Sequence, residues 1–110
     1  MLIVLLEPKS CNNARLAIGA NSKLTDFQIR NEIRNTWGDV RLYKNFGAKM
    51  VFYLALGKSD TFEDVKKVRS EAEKYDDIIL GDFLDSPLNI TFKTIAEYTW
   101  LHEKCTLDYW

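Results

Sequence analysis

The sequence predicts an α/β fold, a Rossmann-like parallel sheet with flanking helices, on three observations. Apolar runs rich in Leu, Ile, Val, Phe and Tyr stand at Leu2 to Leu6, Met50 to Leu56, and Ile78 to Leu80 with Phe83 beyond. None alternates with polar residues as a strand with one wet face would, so each suits a parallel strand covered on both sides. Segments with helical apolar spacing follow each run, which gives the order strand, helix, strand, helix, strand, helix and right-handed crossovers.

The first helix follows Thr25, with Gln28 three residues on as in a capping box, and runs to Gly38. Its apolar residues Ile29, Ile33 and Trp37 fall on one stripe. The second spans TFEDVKKVRSEAEKY, where Phe62, Val65, Val68, Ala72 and Tyr75 recur at helical spacing, Asp60 or Thr61 caps the start and the acidic first turn suits the helix dipole. The third takes Ser86 as N-cap and Pro87 as its first residue, buries Leu88, Phe92, Ile95 and Thr99, and reaches Lys104.

A length of 110 residues, 46% hydrophobic and 28% charged, fits one globular domain over 1–110. Fifteen basic and sixteen acidic residues leave a net charge of −1, so bulk electrostatics does not call for nucleic acid as a partner. The opening MLIVLLEPK is too short for a membrane span and lacks the pattern of a signal peptide. Cys11 and Cys105 have no companion at zinc-ligand spacing. They are also predicted not to pair, because a parallel first strand leaves Cys11 at the carboxyl end of the sheet. The third helix runs back roughly 25 Å from that end before Cys105.

Ligands of such sheets gather at the carboxyl ends of the strands, which directs attention to 7–13, 57–61 and 81–85. GKSD at 57–60 is not a P-loop, since Phe52 stands where the motif needs glycine, and no GxGxxG follows the first strand. Arg30 and Arg34 lie one helical turn apart and could offer two guanidinium forks to a diphosphate; the plain reading is solvation, with Asp26 paired to Arg30. In GDFLDS, Asp82 and Asp85 could end a strand and cap a helix, or a carboxylate could accept hydrogen bonds from a ribose or base. Lys93 has Glu97 one turn on as an ion-pair partner, and His102 has no Ser or Cys partner at a motif spacing. Asn89, Ile90 and Thr91 form an N-x-T acceptor for glycosylation.

In their order these segments resemble the β-1,3-galactosyltransferase-like family, which includes N-acetylglucosaminyltransferases and the Fringe enzymes. R-x-x-I-R-x-T-W-G stands at 30–38 and VFYLALG at 51–57 is similar to the family's F-x-L-G strand. EAEKYDDIILGDFLD at 71–85 resembles E-x-x-x-Y-x-D-I-I-x-x-D-F-x-D; N-x-T-x-K-T stands at 89–94, then Trp100 and Cys105. The resemblance implies the nucleotide-binding half of a GT-A type glycosyltransferase and a Mn2+ ion. It also implies inverting transfer of galactose or N-acetylglucosamine from a UDP-sugar to a glycan acceptor in β-1,3 linkage. It places Arg30 or Arg34, with Asp82 and Lys93, near the donor, and makes Trp37 and Trp100 structural.

Family members are Golgi proteins held by an N-terminal membrane anchor, which this sequence lacks. The family's aspartate-rich metal motif is expected soon after Cys105, where CTLDYW offers only Asp108. The resemblance therefore implies a partial domain with no catalytic residue and no metal ligand of its own. The alternative is a noncatalytic nucleotide-binding or interaction module that keeps only the fold.

Overall fold

A computed structural model describes residues 4–11, 14–43, 47–57, 60–86 and 89–105, without the side chain of Ile90. Leu2, Ile3, Pro87, Leu88 and Asp108, which entered the expectations above, lie outside these residues. The described elements are β1 (Val4–Leu6), β2 (Leu16–Asn21), α1 (Phe27–Arg34), a 3-10 turn (Val40–Tyr43), β3 (Ala48–Leu56), α2 (Phe62–Tyr75), β4 (Ile78–Leu84) and α3 (Ile90–Lys104). The strands form one sheet in the order β1-β4-β3-β2. The fold is α/β, with a mostly parallel four-stranded sheet and helices on both faces, as the sequence predicts.

β3 is central, and its unbroken apolar run has the predicted cause. Met50, Phe52 and Leu54 point to one face, where they join Leu24, Val68, Ile78 and Leu80 beneath α1 and α2. Val51 points to the other, where it joins Ile79, Ala96, Trp100, Leu101, Cys11 and Ala14 beneath α3. α2 is bounded by local chemistry: Thr61 and Asp64 form a capping box, and Asp76 closes the end in the left-handed conformation at φ 53°.

Two strands differ from expectation. β1 is antiparallel to β4, whereas β2, β3 and β4 are mutually parallel. β2 itself, LAIGAN, was not expected; it is short, carries a glycine, and its residues are at most half-buried at the edge of the sheet. The expectation of a parallel first strand is thus corrected, and its consequences follow. An antiparallel β1 delivers Glu7 to Cys11 to the amino ends of the other strands, not the carboxyl ends. There Lys9 N–H donates to Asp76 at 2.6 Å and the Pro8 carbonyl accepts the Trp100 indole N–H at 3.0 Å.

The two cysteines therefore do meet. Cys11 and Cys105 form a disulfide, with Cα atoms 5.4 Å apart, because α3 ends at the edge to which β1 returns the chain. The prediction that they stay apart is overturned by the direction of one three-residue strand.

The helical stripes shift as well. α1 ends at Arg34, Ile29 and Trp37 are about half exposed, and the face turned to the sheet carries Phe27, Arg30 and Arg34 with Ile33. Trp37 is thus no buried anchor; its carbonyl accepts from the Tyr43 hydroxyl at 2.8 Å while its side chain stays at the surface. On α3 the buried residues are Lys93, Ala96, Trp100 and Leu101, and Phe92, Ile95 and Thr99 are exposed. The inward face is set by the bulk of Trp100 and the pairing of Lys93. Phe62 on α2 is likewise exposed.

Candidate functional site

Because α1, α2 and α3 each run antiparallel to the parallel strands, their first residues gather at the carboxyl ends of β2, β3 and β4. Lys93, in the first turn of α3, is 3% exposed. Its Nζ donates to Asn21 Oδ1 at 2.7 Å and the Ser22 carbonyl at 3.3 Å, and pairs with Asp85 at 2.9 Å. Asn21 ends β2 and Asp85 follows β4, so Lys93 bridges over the end of β3 between them. The i to i+4 pair with Glu97 is not what holds it.

Beside this bridge the β3–β4 ladder breaks. Ala55 pairs with Gly81 but Leu56 pairs with Leu84, so Asp82 and Phe83 form an excursion with no counterpart on β3. Such irregularities commonly re-aim side chains next to functional sites. Asp82 is exposed at this excursion, Phe83 packs edge-on against Phe92 at 5.6 Å, and Asp85 N–H returns to the Leu56 carbonyl at 2.6 Å.

The arginines do something else. Arg30 is fully buried and places all its N–H donors within the protein: Nε and Nη2 on Glu71 at 2.8 and 2.7 Å, Nη1 on Ser22 Oγ and the Lys23 carbonyl, Nη2 also on the Leu24 carbonyl. A guanidinium has five such donors, and none is left here for a diphosphate. Arg34 pairs with Asp77 at 2.8 and 2.9 Å and with Glu71 at 2.6 Å, and stacks 3.9 Å from the Tyr75 ring centroid.

Asp77 precedes β4, so Arg34 sits near the amino end of that strand while Asp82 stands at its other end. The grouping of Arg34 with Asp82 in one site is therefore corrected by the antiparallel course of α1. Burial alone would lower the Arg34 pKa, but the bonds and charge of Asp77 and then Glu71 raise it above its usual value. Burial acts to raise the Glu71 pKa, yet Arg30 and Arg34 together hold it below the usual carboxylate range.

This network joins two motifs that the sequence shows far apart. R-x-x-I-R supplies Arg30 and Arg34; E-x-x-x-Y-x-D supplies Glu71, Tyr75 and Asp77, all of which meet the arginines. Sequence reasoning missed Glu71 and Asp77 as partners, although Phe27, Arg30 and Arg34 on one helical face were a signal: an inward arginine needs a buried carboxylate. Trp100 is 2% exposed in the core and Asn89 Nδ2 donates to the Leu84 carbonyl at 2.7 Å. His102 is exposed on the last turn of α3 and stacks on Tyr98. Among the described residues no three His, Cys, Asp or Glu side chains cluster to hold a metal ion.

The fold and the bridged carboxyl-end site define a Rossmann-like α/β layer of the kind that presents ligands at strand ends. A family model described as Galactosyltransferase matches residues 28–109. The chain is 37% identical over 76 residues to human Beta-1,3-galactosyltransferase 5, covering 69% of this chain and 24% of the relative. It is 34% identical over 102 residues to mouse Beta-1,3-galactosyltransferase 1, covering 91% of this chain and 31% of the relative. The chain belongs to the galactosyltransferase family, and it spans 24% to 31% of the length of these relatives.

Proposed function

We propose that residues 1–110 form part of a glycosyltransferase domain and hold the nucleotide of a UDP-galactose or UDP-N-acetylglucosamine donor for β-1,3 transfer to a glycan hydroxyl. The observation that carries this reading is the break in the β3–β4 ladder, which exposes Asp82 beside the Lys93 bridge at the carboxyl ends of the strands. A carboxylate there accepts hydrogen bonds from ribose hydroxyls or the uracil N–H. Lys93 fixes the ends of β2 and β4 on either side, and Arg30 fixes the 22–24 turn that borders the same edge. Arg34 acts only through Glu71, as support.

The family implies a divalent cation at the diphosphate, but the described residues supply no ligand set for it, so no step is assigned to one. Location in the Golgi lumen is part of this reading, and the Cys11–Cys105 disulfide, a bond that persists in oxidising compartments, supports a lumenal setting. Among the described residues no helix is long and apolar enough to cross a membrane.

A noncatalytic module is the second reading, favoured by the internal satisfaction of Arg30 and Lys93. Titration of 15N-labelled chain with UDP tests the first. Saturable shifts are expected at Asn21, Ser22, Leu56, Asp82 and Lys93, lost in Asp82→Ala. Shifts confined to Lys49, Asp76 and Asp77 at the amino ends, or none, would sink it. Incubation with UDP-galactose or UDP-N-acetylglucosamine, manganese and a galactose-ended acceptor is expected to show binding without useful turnover by this chain alone.

A further inference from the structure

The α3 face of the sheet is incompletely covered, and a cavity of about 230 Å3 opens there between β2, β3 and α3. Its walls are Gly19, Ala17, Tyr53, Thr94, Tyr98 and Leu101, with the carboxyl group of Glu97 among them. A Cβ at position 19 would meet that carboxylate in its present position, so the glycine in β2 lets the Glu97 side chain lie there undisturbed. We propose that this cavity is a binding site for a compact organic ammonium ion, paired with Glu97 and flanked by Tyr53 and Tyr98.

The argument rests on charge and shape. β2 contributes no titratable group to the walls, β3 contributes Tyr53, and α3 contributes Tyr98 besides Glu97 itself. Lys93, one turn back on α3, turns its Nζ to Asn21 and Asp85. Among the described residues no cation lines the chamber that the carboxylate faces, and burial pushes its pKa up to about 7. Burial first and the charge of Glu97 second also raise the Tyr53 pKa.

An ammonium ion would restore the missing charge, and aromatic faces attract such cations. A neutral polyol would leave the carboxylate uncompensated. The volume lies below the roughly 300 to 1,000 Å3 of pockets for drug-sized ligands, which excludes a nucleotide and suits an ion of a few heavy atoms. The cavity adjoins the carboxyl-end site, since Tyr53 pairs with Asn21 and Thr94 follows Lys93, but its reading does not depend on the donor reading.

The test is an NMR titration of the full 110-residue chain with ethylammonium chloride, against sodium chloride at equal ionic strength and against ethylene glycol. Expected are saturable shifts at Gly19, Tyr53, Thr94 and the Glu97 carboxyl carbon with ethylammonium alone, absent in Glu97→Gln. Since a group of pKa near 7 is about one-tenth ionised at pH 6 and about nine-tenths at pH 8, binding should be roughly tenfold weaker at pH 6. That pH comparison on the unsubstituted chain stands even if the variant fails to fold. Equal shifts with ethylene glycol or sodium, no saturation, or affinities within about twofold at the two pH values would overturn the proposal.

Discussion

Glu71→Ala removes the one carboxylate shared by Arg30 and Arg34. Arg34 keeps Asp77, but Arg30 is left fully buried with the neutral partners Ser22 Oγ and the carbonyls of Lys23 and Leu24. Stranding a buried charge in this way costs about 3–5 kcal/mol. A domain of this size has a total stability of about 5–15 kcal/mol, so the loss is a large share of the whole. The melting temperature should fall by roughly 10–20 °C.

The assay is urea unfolding followed by far-UV circular dichroism with the disulfide intact. Glu73→Ala, at an exposed glutamate of the same helix, is the control and is expected to stay within about 0.5 kcal/mol of the unsubstituted chain. The network also has a pH signature. The folded Glu71 pKa is lowered from 4.5, so its stabilisation is present above that value and is lost as pH falls through the folded one. A Glu71→Ala cost under about 1 kcal/mol, or an acid limb unchanged by the substitution, would refute the reasoning.

Reduction of Cys11–Cys105, which closes a loop with a sequence separation of 94, should cost about 2–5 kcal/mol, and a non-reduced peptide map should recover the two cysteine peptides joined; separate peptides would return the first strand to a parallel course. Glu97 has the opposite pH signature to Glu71: with a folded pKa raised to about 7, its stabilisation is full below the unfolded value and declines as pH rises toward 7, a slope that Glu97→Gln should flatten in pH-dependent melts. Asn89, partly exposed at the start of α3, should carry a glycan when the chain passes through the secretory pathway, and N-glycanase should then lower its mass; an unchanged mass removes that expectation.

The elements that were legible in the sequence share one property: their signals are local. The Thr61–Asp64 box lies within four residues, and the double-sided burial of β3 shows in its uninterrupted apolar run. β2 was hidden because an edge strand with a glycine buries too little to need a dense apolar pattern. The stripe on α3 was misplaced because Phe92 and Ile95 looked like core residues, while Lys93, which is buried, looked like surface. Asp82 became a site candidate from its place at the end of a strand, whereas Lys93 entered only through the family resemblance. Glu97 was seen only as a surface partner, since nothing in α3 reveals that Gly19 lies opposite.

By itself, then, the sequence determined the α/β class, the course of α2, the strands β3 and β4, and, through the order of its motifs, the family. The class and the elements are properties of periodicity, capping and composition, which act over a few residues and survive without knowledge of neighbours, whereas the family came from a resemblance of motifs in order. Tertiary structure alone decided that β1 runs antiparallel, that Cys11 reaches Cys105, that Arg30 and Arg34 belong to Glu71 and Asp77, and that Glu97 faces a glycine. Each depends on which strand edge a segment joins and in which direction, a choice made by pairing and burial across 37 to 94 residues of chain. No local pattern records that choice.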